Sequence, residues 1–449
     1  MEQDEAQYKR MTETPVGGLV TAMAVPTIIS MVVSAVYNMA DTYFVSKIGT
    51  SAAAAVGVVF SLMAIIQAFG FTIGMGSGSW ISRLLGAQQT EEASRVAASG
   101  FYSSIVWGGL LTALGIVFID PLMHVLGATD TILPYARDYA RYILFAAPVM
   151  MASFVLNNIL RAEGRAKLAM FGIATGGILN CGLDPLFIFT FRMGIAGAAI
   201  ATALSQLISF GILLSAFLRG RTATKLGLRR LSRSPALYLQ ILKNGLPSFC
   251  RQGMASVSTI ALNLSAAVYG DAAVAAMSIV GKIFMFIFSI ILGVGQGYQP
   301  VLGYNYGAGK YGRVKEAFFF TLKTNTAIMT VCAAAGFAAS PTLMRLFIAS
   351  DVDVVRIGVE ALRLQCLAMP FLPLGVLCNM TFQAIGKSWT STFLSAARQG
   401  TFFLPLILVL PRVVGLLGVQ ITQPLADLCT FVLCLPFALA FFRRLPKED

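Results

Sequence analysis

The sequence predicts an all-α polytopic membrane protein, with twelve transmembrane helices in two pseudo-symmetric six-helix bundles. Three observations carry that reading. Only 12% of the 449 residues are charged, 57% are hydrophobic, and the mean hydropathy is +0.77. A soluble chain carries roughly 25% charged residues, so this charge cannot clothe a water-facing surface of such size. The apolar residues also come in blocks that match the span of a bilayer, about 20 residues as a helix. Residues 101–119 and 283–300 contain no charge at all. Finally, the chain resembles itself at an offset of about 221 residues.

The elements follow in order. A polar N-terminal tail, 1–14, precedes a first span at 16–46. That span is too long for the apolar core of a signal peptide and lacks a clean cleavage site, so it is expected to stay in the mature protein. Further spans fall at 51–81, 95–119, 139–161, 168–190 and 194–218, closing an N-terminal six-helix bundle over 15–218. A basic linker, 219–239, carries Arg229, Arg230 and Arg233. The C-terminal bundle, 240–442, takes spans at 240–268, 273–304, 315–340, 357–383, 390–411 and 415–442, and a tail follows at 443–449.

The repeat matches turn and breaker residues. Pro26 maps to Pro247, Gly49 to Gly270, Gly74 and Gly76 to Gly295 and Gly297, Asn158 to Asn379, and Gly194 and Gly197 to Gly415 and Gly418. Glycine and proline fix backbone geometry, so the match concerns shape. Six spans is an even number, so both halves enter the membrane in the same direction, as a parallel repeat.

The net charge of +13 follows topology. Most Lys and Arg fall on the side that bears both termini. Only Lys47, Arg137, Arg141, Arg192, Arg345, Arg356, Arg363 and Arg412 fall on the other, while Arg251, Lys282 and Arg398 lie within spans. That bias puts both termini in the cytoplasm and leaves no reason to expect nucleic-acid binding. The seven cysteines sit in apolar segments with no CxxC spacing and read as small core residues. A single histidine, His124, excludes the usual zinc ligand cluster. No phosphate-binding Gly-x-x-x-x-Gly-Lys-[Ser/Thr] loop is present, and no nucleophile–base set points to an enzyme.

Ionisable residues inside a span are costly and mark function. Of twenty Asp and Glu, only Asp41, Asp184 and Asp427 fall within spans and more than four residues from a span end. Asp41 follows Tyr37 and Asn38 in the first span, which Pro26 should bend. Asp184 lies four residues after Asn180, so the two share a helix face. An apolar pocket disfavours the charged carboxylate, so such a pair suits a proton. With an asparagine and hydroxyls nearby it equally suits a sodium ion, a hard cation that prefers oxygen. A structural helix-end hydrogen bond is the plain alternative. In the second half, Lys282 reads as the best buried basic residue, either paired with Asp427 or lining a substrate path. Arg251 and Arg398 read as snorkelling residues. Gln252, Asn263, Gln296, Gln299, Asn379 and Gln383 read mainly as helix-packing glue, some of them lining the cavity.

These residues, taken with their order, resemble the multidrug and toxic compound extrusion family over nearly the whole chain. The similar features are Pro26 followed by Tyr37-Asn38-Met39-Ala40-Asp41, then Gly86-Ala87-Gln88, Arg161-Ala162-Glu163-Gly164, Leu179-Asn180-Cys181-Gly182-Leu183-Asp184-Pro185, and Gly194-Ile195-Ala196-Gly197-Ala198-Ala199. The second half adds Gly307-Ala308-Gly309 and Gln383-Ala384-Ile385-Gly386. The resemblance implies two bundles in a V around a central cavity that alternates between the two sides of the membrane. It implies export of cationic or amphiphilic small molecules by antiport with H⁺ or Na⁺, without a cofactor, by a monomer in a bacterial or archaeal cytoplasmic membrane. The family's N-terminal ion site maps to Asp41, Asn180, Asp184 and Thr202. Candidate cavity residues are Tyr37, Asn38, Lys282, Gln296, Asn379 and Asp427. Some members carry a glutamate early in the seventh span; here that stretch reads Pro247-Ser248-Phe249-Cys250-Arg251-Gln252, with no acid. A related architecture that moves a lipid-linked or anionic metabolite is the rival, for which Arg251, Lys282 and Arg398 would suit an anionic head group.

Overall fold

A bilayer offers the backbone no hydrogen-bond partners, so spanning segments must satisfy their own, and this chain does so with helices. The computed structural model describes residues 2–348 and 351–446; the last residues of the expected C-terminal tail, 447–449, lie outside them. The N-terminal half comprises α1 (Glu2–Glu13), α2 (Val16–Ser46), α3 (Thr50–Gly86), α4 (Thr90–Val117), α5 (Ile119–Val125), α6 (Leu133–Ala162), α7 (Ala166–Pro185, extended by a π-helical turn Leu186–Thr190) and α8 (Gly194–Leu218). The C-terminal half comprises α9 (Pro235–Ala267), α10 (Asp271–Gly307), α11 (Tyr311–Phe347), α12 (Val352–Ala368), α13 (Leu372–Ala384), α14 (Ser388–Ala396), a π-helical turn Ala397–Phe403, α15 (Leu404–Val414) and α16 (Leu416–Arg444). Among the described residues eleven spans are long and apolar enough to cross a membrane. The twelfth expected span, α9, is equally long at 33 residues but more polar. Its Asn244 and Ser248 bond Ser388 and Gln383, within the C bundle.

The two halves are built alike. α3 and α10 are each 37 residues long and begin 221 positions apart, after Gly49 and Gly270. Both glycines hold positive φ, 154° and 95°, where a side chain would strain the turn. The bundles meet where backbone touches backbone. A Cβ added at Gly76 would clash with the Ile241 carbonyl of α9, and one at Gly297 with Ala24 of α2. These are the same contact in the two halves of the repeat. Further along, Gly86 faces the Tyr304 carbonyl and Gly307 the Arg83 carbonyl. All these approaches lie in the half of the molecule nearer the termini, which closes the V there. Arg161 of α6 ties across the same seam to Gln296 of α10 and also donates to Asn158 Oδ1 at 2.6 Å.

The expected polar tail 1–14 is largely the helix α1, which spans the seam. Gln7 donates to the Glu163 carbonyl of the N bundle at 2.8 Å. From the C bundle, Asn305 donates to the Met11 carbonyl at 3.1 Å, Lys310 to that of Thr12 at 3.1 Å, and Arg313 to that of Thr14 at 2.6 Å. The open carbonyls at a helix C-terminus attract such cations, and Met11 is fully buried beneath them. The linker is also docked rather than free. Glu163 accepts from the backbone N–H groups of Ala223 at 2.9 Å and Thr224 at 3.0 Å, and from the Thr224 hydroxyl. Arg443 and Arg444, expected in the C-terminal tail, are the last turn of α16.

The seam predicts a sharp contrast between two glycines. Gly76→Ala must push α9 off α3, at a cost of roughly 1–3 kcal/mol. Gly109→Ala meets nothing within 4 Å and should be neutral or slightly stabilising. Spin labels at Gln89 and Lys315 should report a longer distance in Gly76→Ala and an unchanged one in Gly109→Ala. Identical distances in both would mean that the seam is not set by backbone contact.

Candidate functional site

The N bundle holds a polar pocket assembled from four of its helices. α2 contributes Asp41, α6 Tyr139, α7 Asn180 and Asp184, and α8 Thr202. Asn180 and Asp184 sit one helical turn apart and share a face, as their spacing dictates. Small residues let the helices approach: a Cβ at Gly177 would press on Val33 and Tyr37, and one at Gly176 on Ser209. Tyr37 is thus placed against α7, while Asn38 spends its amide on the Ser34 carbonyl of its own helix at 2.8 Å. Pro26 lies buried in α2 at the seam with the C bundle.

The hydrogen bonds leave a set of oxygens unused. Tyr139 donates to Asp41 Oδ2 at 3.3 Å. Asn180 Nδ2 reaches both Asp184 Oδ1 and Thr202 Oγ1, each at 3.2 Å. Asp41 Oδ1, Asn180 Oδ1 and Asp184 Oδ2 are buried with no partner. Asp41 is 3% exposed and Asp184 fully buried. Neither carboxylate forms an ion pair with a basic residue among the described residues, whereas the buried Asp427 does. Two negative charges in a dry interior without a fixed cation cannot stand uncompensated. Protons, or a hard cation held by the vacant oxygens, supply what the fold does not. Asp41, Asn180, Asp184 and Thr202, the positions singled out from the sequence, are therefore brought together. Tyr139 was not among them. It opens the fourth expected span, where an aromatic residue is easily taken for core, although a buried tyrosine hydroxyl needs a partner.

The C bundle departs from expectation. Lys282 is exposed on α10 rather than buried, and it does not pair with Asp427. Arg398 does, Nε to Oδ1 at 2.7 Å, so Arg398 is not a snorkelling residue. Gln365 and Gln423 complete the shell of Asp427 at 2.9 and 2.8 Å. The misassignment has a physical cause: the apolar neighbours of Lys282 suggested burial, but helical rotation gives it a face of its own. Gln296 bonds Arg161 across the seam. Asn379 bonds the Ser391 carbonyl at 2.7 Å and the Ser395 hydroxyl. Both act as ties between helices.

Occupation of the N-bundle pocket should be visible as stability. A cation bound a hundredfold above its Kd adds about 2.7 kcal/mol. Raising Na⁺ at constant ionic strength, or lowering the pH, should raise the Tm of the wild type and leave Asp41→Asn/Asp184→Asn unmoved. A double variant that still responds like the wild type would remove the pocket from consideration.

The chain is similar to known proteins over most of its length. The MatE family model matches the chain twice, over residues 26–186 and 247–408, two copies starting 221 residues apart. Multidrug export protein MepA of Staphylococcus haemolyticus (strain JCSC1435) is 28% identical over 411 residues, covering 91% of this chain and 90% of that protein. A crystal structure of MATE in complex with MaL6 superposes with a TM-score of 0.93 at 28% identity, covering 98% of each chain. An outward-facing conformation of a multidrug resistance MATE family transporter of the MOP superfamily superposes with a TM-score of 0.92 at 28% identity, covering 97% of this chain and 98% of that one.

Proposed function

The chain belongs to the MatE family of multi-pass membrane transporters, and from that premise we propose that it exports cationic or amphiphilic small molecules by antiport with H⁺ or Na⁺. The single observation that carries the reading is the pair of buried carboxylates, Asp41 and Asp184, without a basic partner among the described residues and each with one vacant oxygen, beside a third on Asn180. Such a site must be compensated in each state of the cycle, and a mobile charge is what remains to do it. The names of its relatives, a multidrug export protein and a multidrug resistance transporter, support the substrate class.

The direction follows from charge. The side that bears the termini and most of the Lys and Arg is the cytoplasmic side, so the V, closed there, opens outward. In our reading, the ion enters from outside and compensates Asp41 and Asp184, α2 rearranges about Pro26, and the cavity lets go of its cargo. The closed cytoplasmic seam then parts and the site reloads. The ion drives this only to the extent that it binds one state more tightly than the other.

Ethidium efflux from cells lacking other pumps tests the proposal. The wild type should export the dye, and Asp41→Asn and Asp184→Asn should each reduce efflux at least tenfold at equal expression, since each removes one site charge. Dependence on Na⁺ or sensitivity to a protonophore names the coupling ion. Undiminished efflux in both variants would sink the carboxylate mechanism.

A further inference from the structure

The second half of the repeat has replaced the ion pocket with something else. At the offset of 221 residues, Asp41 corresponds to Leu262, Asn180 to Thr401, Asp184 to Pro405 and Thr202 to Gln423. Both ion-site carboxylates are gone. Yet three of the four corresponding spans, the last three of the half, again gather polar groups, from Gln365 in α12, Arg398 in the π-helical turn, and Gln423 and Asp427 in α16. The C bundle keeps a polar centre in the corresponding place and supplies its own cation, tethered to the chain.

That cation is only half used. Asp427 accepts from Arg398 Nε at 2.7 Å, Gln365 at 2.9 Å and Gln423 at 2.8 Å, so its acceptor capacity is largely filled. Arg398 engages it through Nε, while its buried Nη2 has no hydrogen-bond partner. A guanidinium presents donors in a planar fork that suits a carboxylate bidentately, and here part of the fork is idle. The guanidinium plane also lies over two aromatic rings, 4.7 Å from the Phe288 centroid and 5.6 Å from that of Phe284. Those rings are themselves stacked, 5.6 Å apart at 22°. A purely structural counter-ion needs neither a vacant donor nor an aromatic shelf. A π-helical turn, the backbone distortion that accompanies functional sites in helices, carries the arginine.

We propose that Arg398 receives the carboxylate of zwitterionic aromatic substrates, with Phe284 and Phe288 flanking their ring. The N bundle then handles the exchangeable cation and the C bundle reads the anionic end of the cargo. This rests on the efflux reading for its physiological meaning, but the binding event can be measured without transport.

The test uses purified full-length protein and a matched pair of ligands: an aromatic amine that bears a carboxylate, and the methyl ester of the same compound. Calorimetry gives the affinity ratio of acid to ester. Arg398→Gln alone strands the Asp427 charge and can unfold the bundle, so Arg398→Gln/Asp427→Asn is the informative variant, with ester binding as its check of folding. The acid-to-ester ratio should fall at least about tenfold in the double variant, the worth of one charge-assisted pair. Asp427→Asn alone, which removes the competing negative charge, should raise it. A ratio unchanged in the double variant overturns the proposal. So does a ratio that falls in Lys282→Gln instead, which would make the exposed lysine the receptor. Failure of the wild type to export the ester would count against the efflux reading and leave the binding ratio to be judged separately.

Discussion

Backbone-to-backbone contact between the two bundles is the constraint on which the rest of the architecture hangs. At Gly76, Gly86, Gly297 and Gly307 no side chain intervenes between one half and the other. Contacts of this kind are indifferent to what happens in the cavities. They let the bundles seat in one arrangement without binding the composition of the pocket walls, and small residues at helix crossings serve the same purpose throughout membranes. Because the contacts recur in both halves, the seam has approximate twofold character, and its geometry is set twice over.

Within that symmetric frame the chemistry is not symmetric. The N-bundle pocket joins two carboxylates that have no basic partner among the described residues; the C-bundle centre pairs one carboxylate with an arginine of its own. Duplication preserved the glycines and prolines that shape the backbone, while the polar residues diverged. A site that must exchange its charge needs an acid without a permanent partner. A site that must not exchange it can keep an internal pair, whose desolvation cost is offset only where hydrogen bonds fill the shell, as Gln365 and Gln423 do around Asp427.

Much of this was legible in the sequence, for definite reasons. An acid within an apolar block stands out, which exposed Asp41 and Asp184, and four-residue spacing joined Asn180 to Asp184. Constant offset between breakers revealed the two halves. Other features depend on information that local pattern does not hold. The pairing of Arg398 with Asp427 crosses 29 positions and a π-helical turn, which shifts the helical phase and defeats face counting. Lys282 was assigned to the interior from its neighbours, although a helix turns each residue to a different side. The helix α1 is short and strongly polar, and isolated helices of its length are marginal; its order comes from the seam on which it lies.

That helix breaks the balance of the machine. The equivalent stretch in the second half is the linker, which rests on the N bundle through Glu163 and through Tyr102, whose hydroxyl reaches the Leu226 carbonyl at 2.9 Å. The helix α1 bonds to both bundles, and it can do so only while they are together on this side. A transporter made of two like halves has two ways of packing that are otherwise close in energy. A clasp present in one of them weights the resting population toward it. Each net hydrogen bond contributes about 1 kcal/mol, so even two of the four contacts tilt the distribution by more than tenfold. By these contacts α1 favours the arrangement in which the two halves meet on the side that bears the termini.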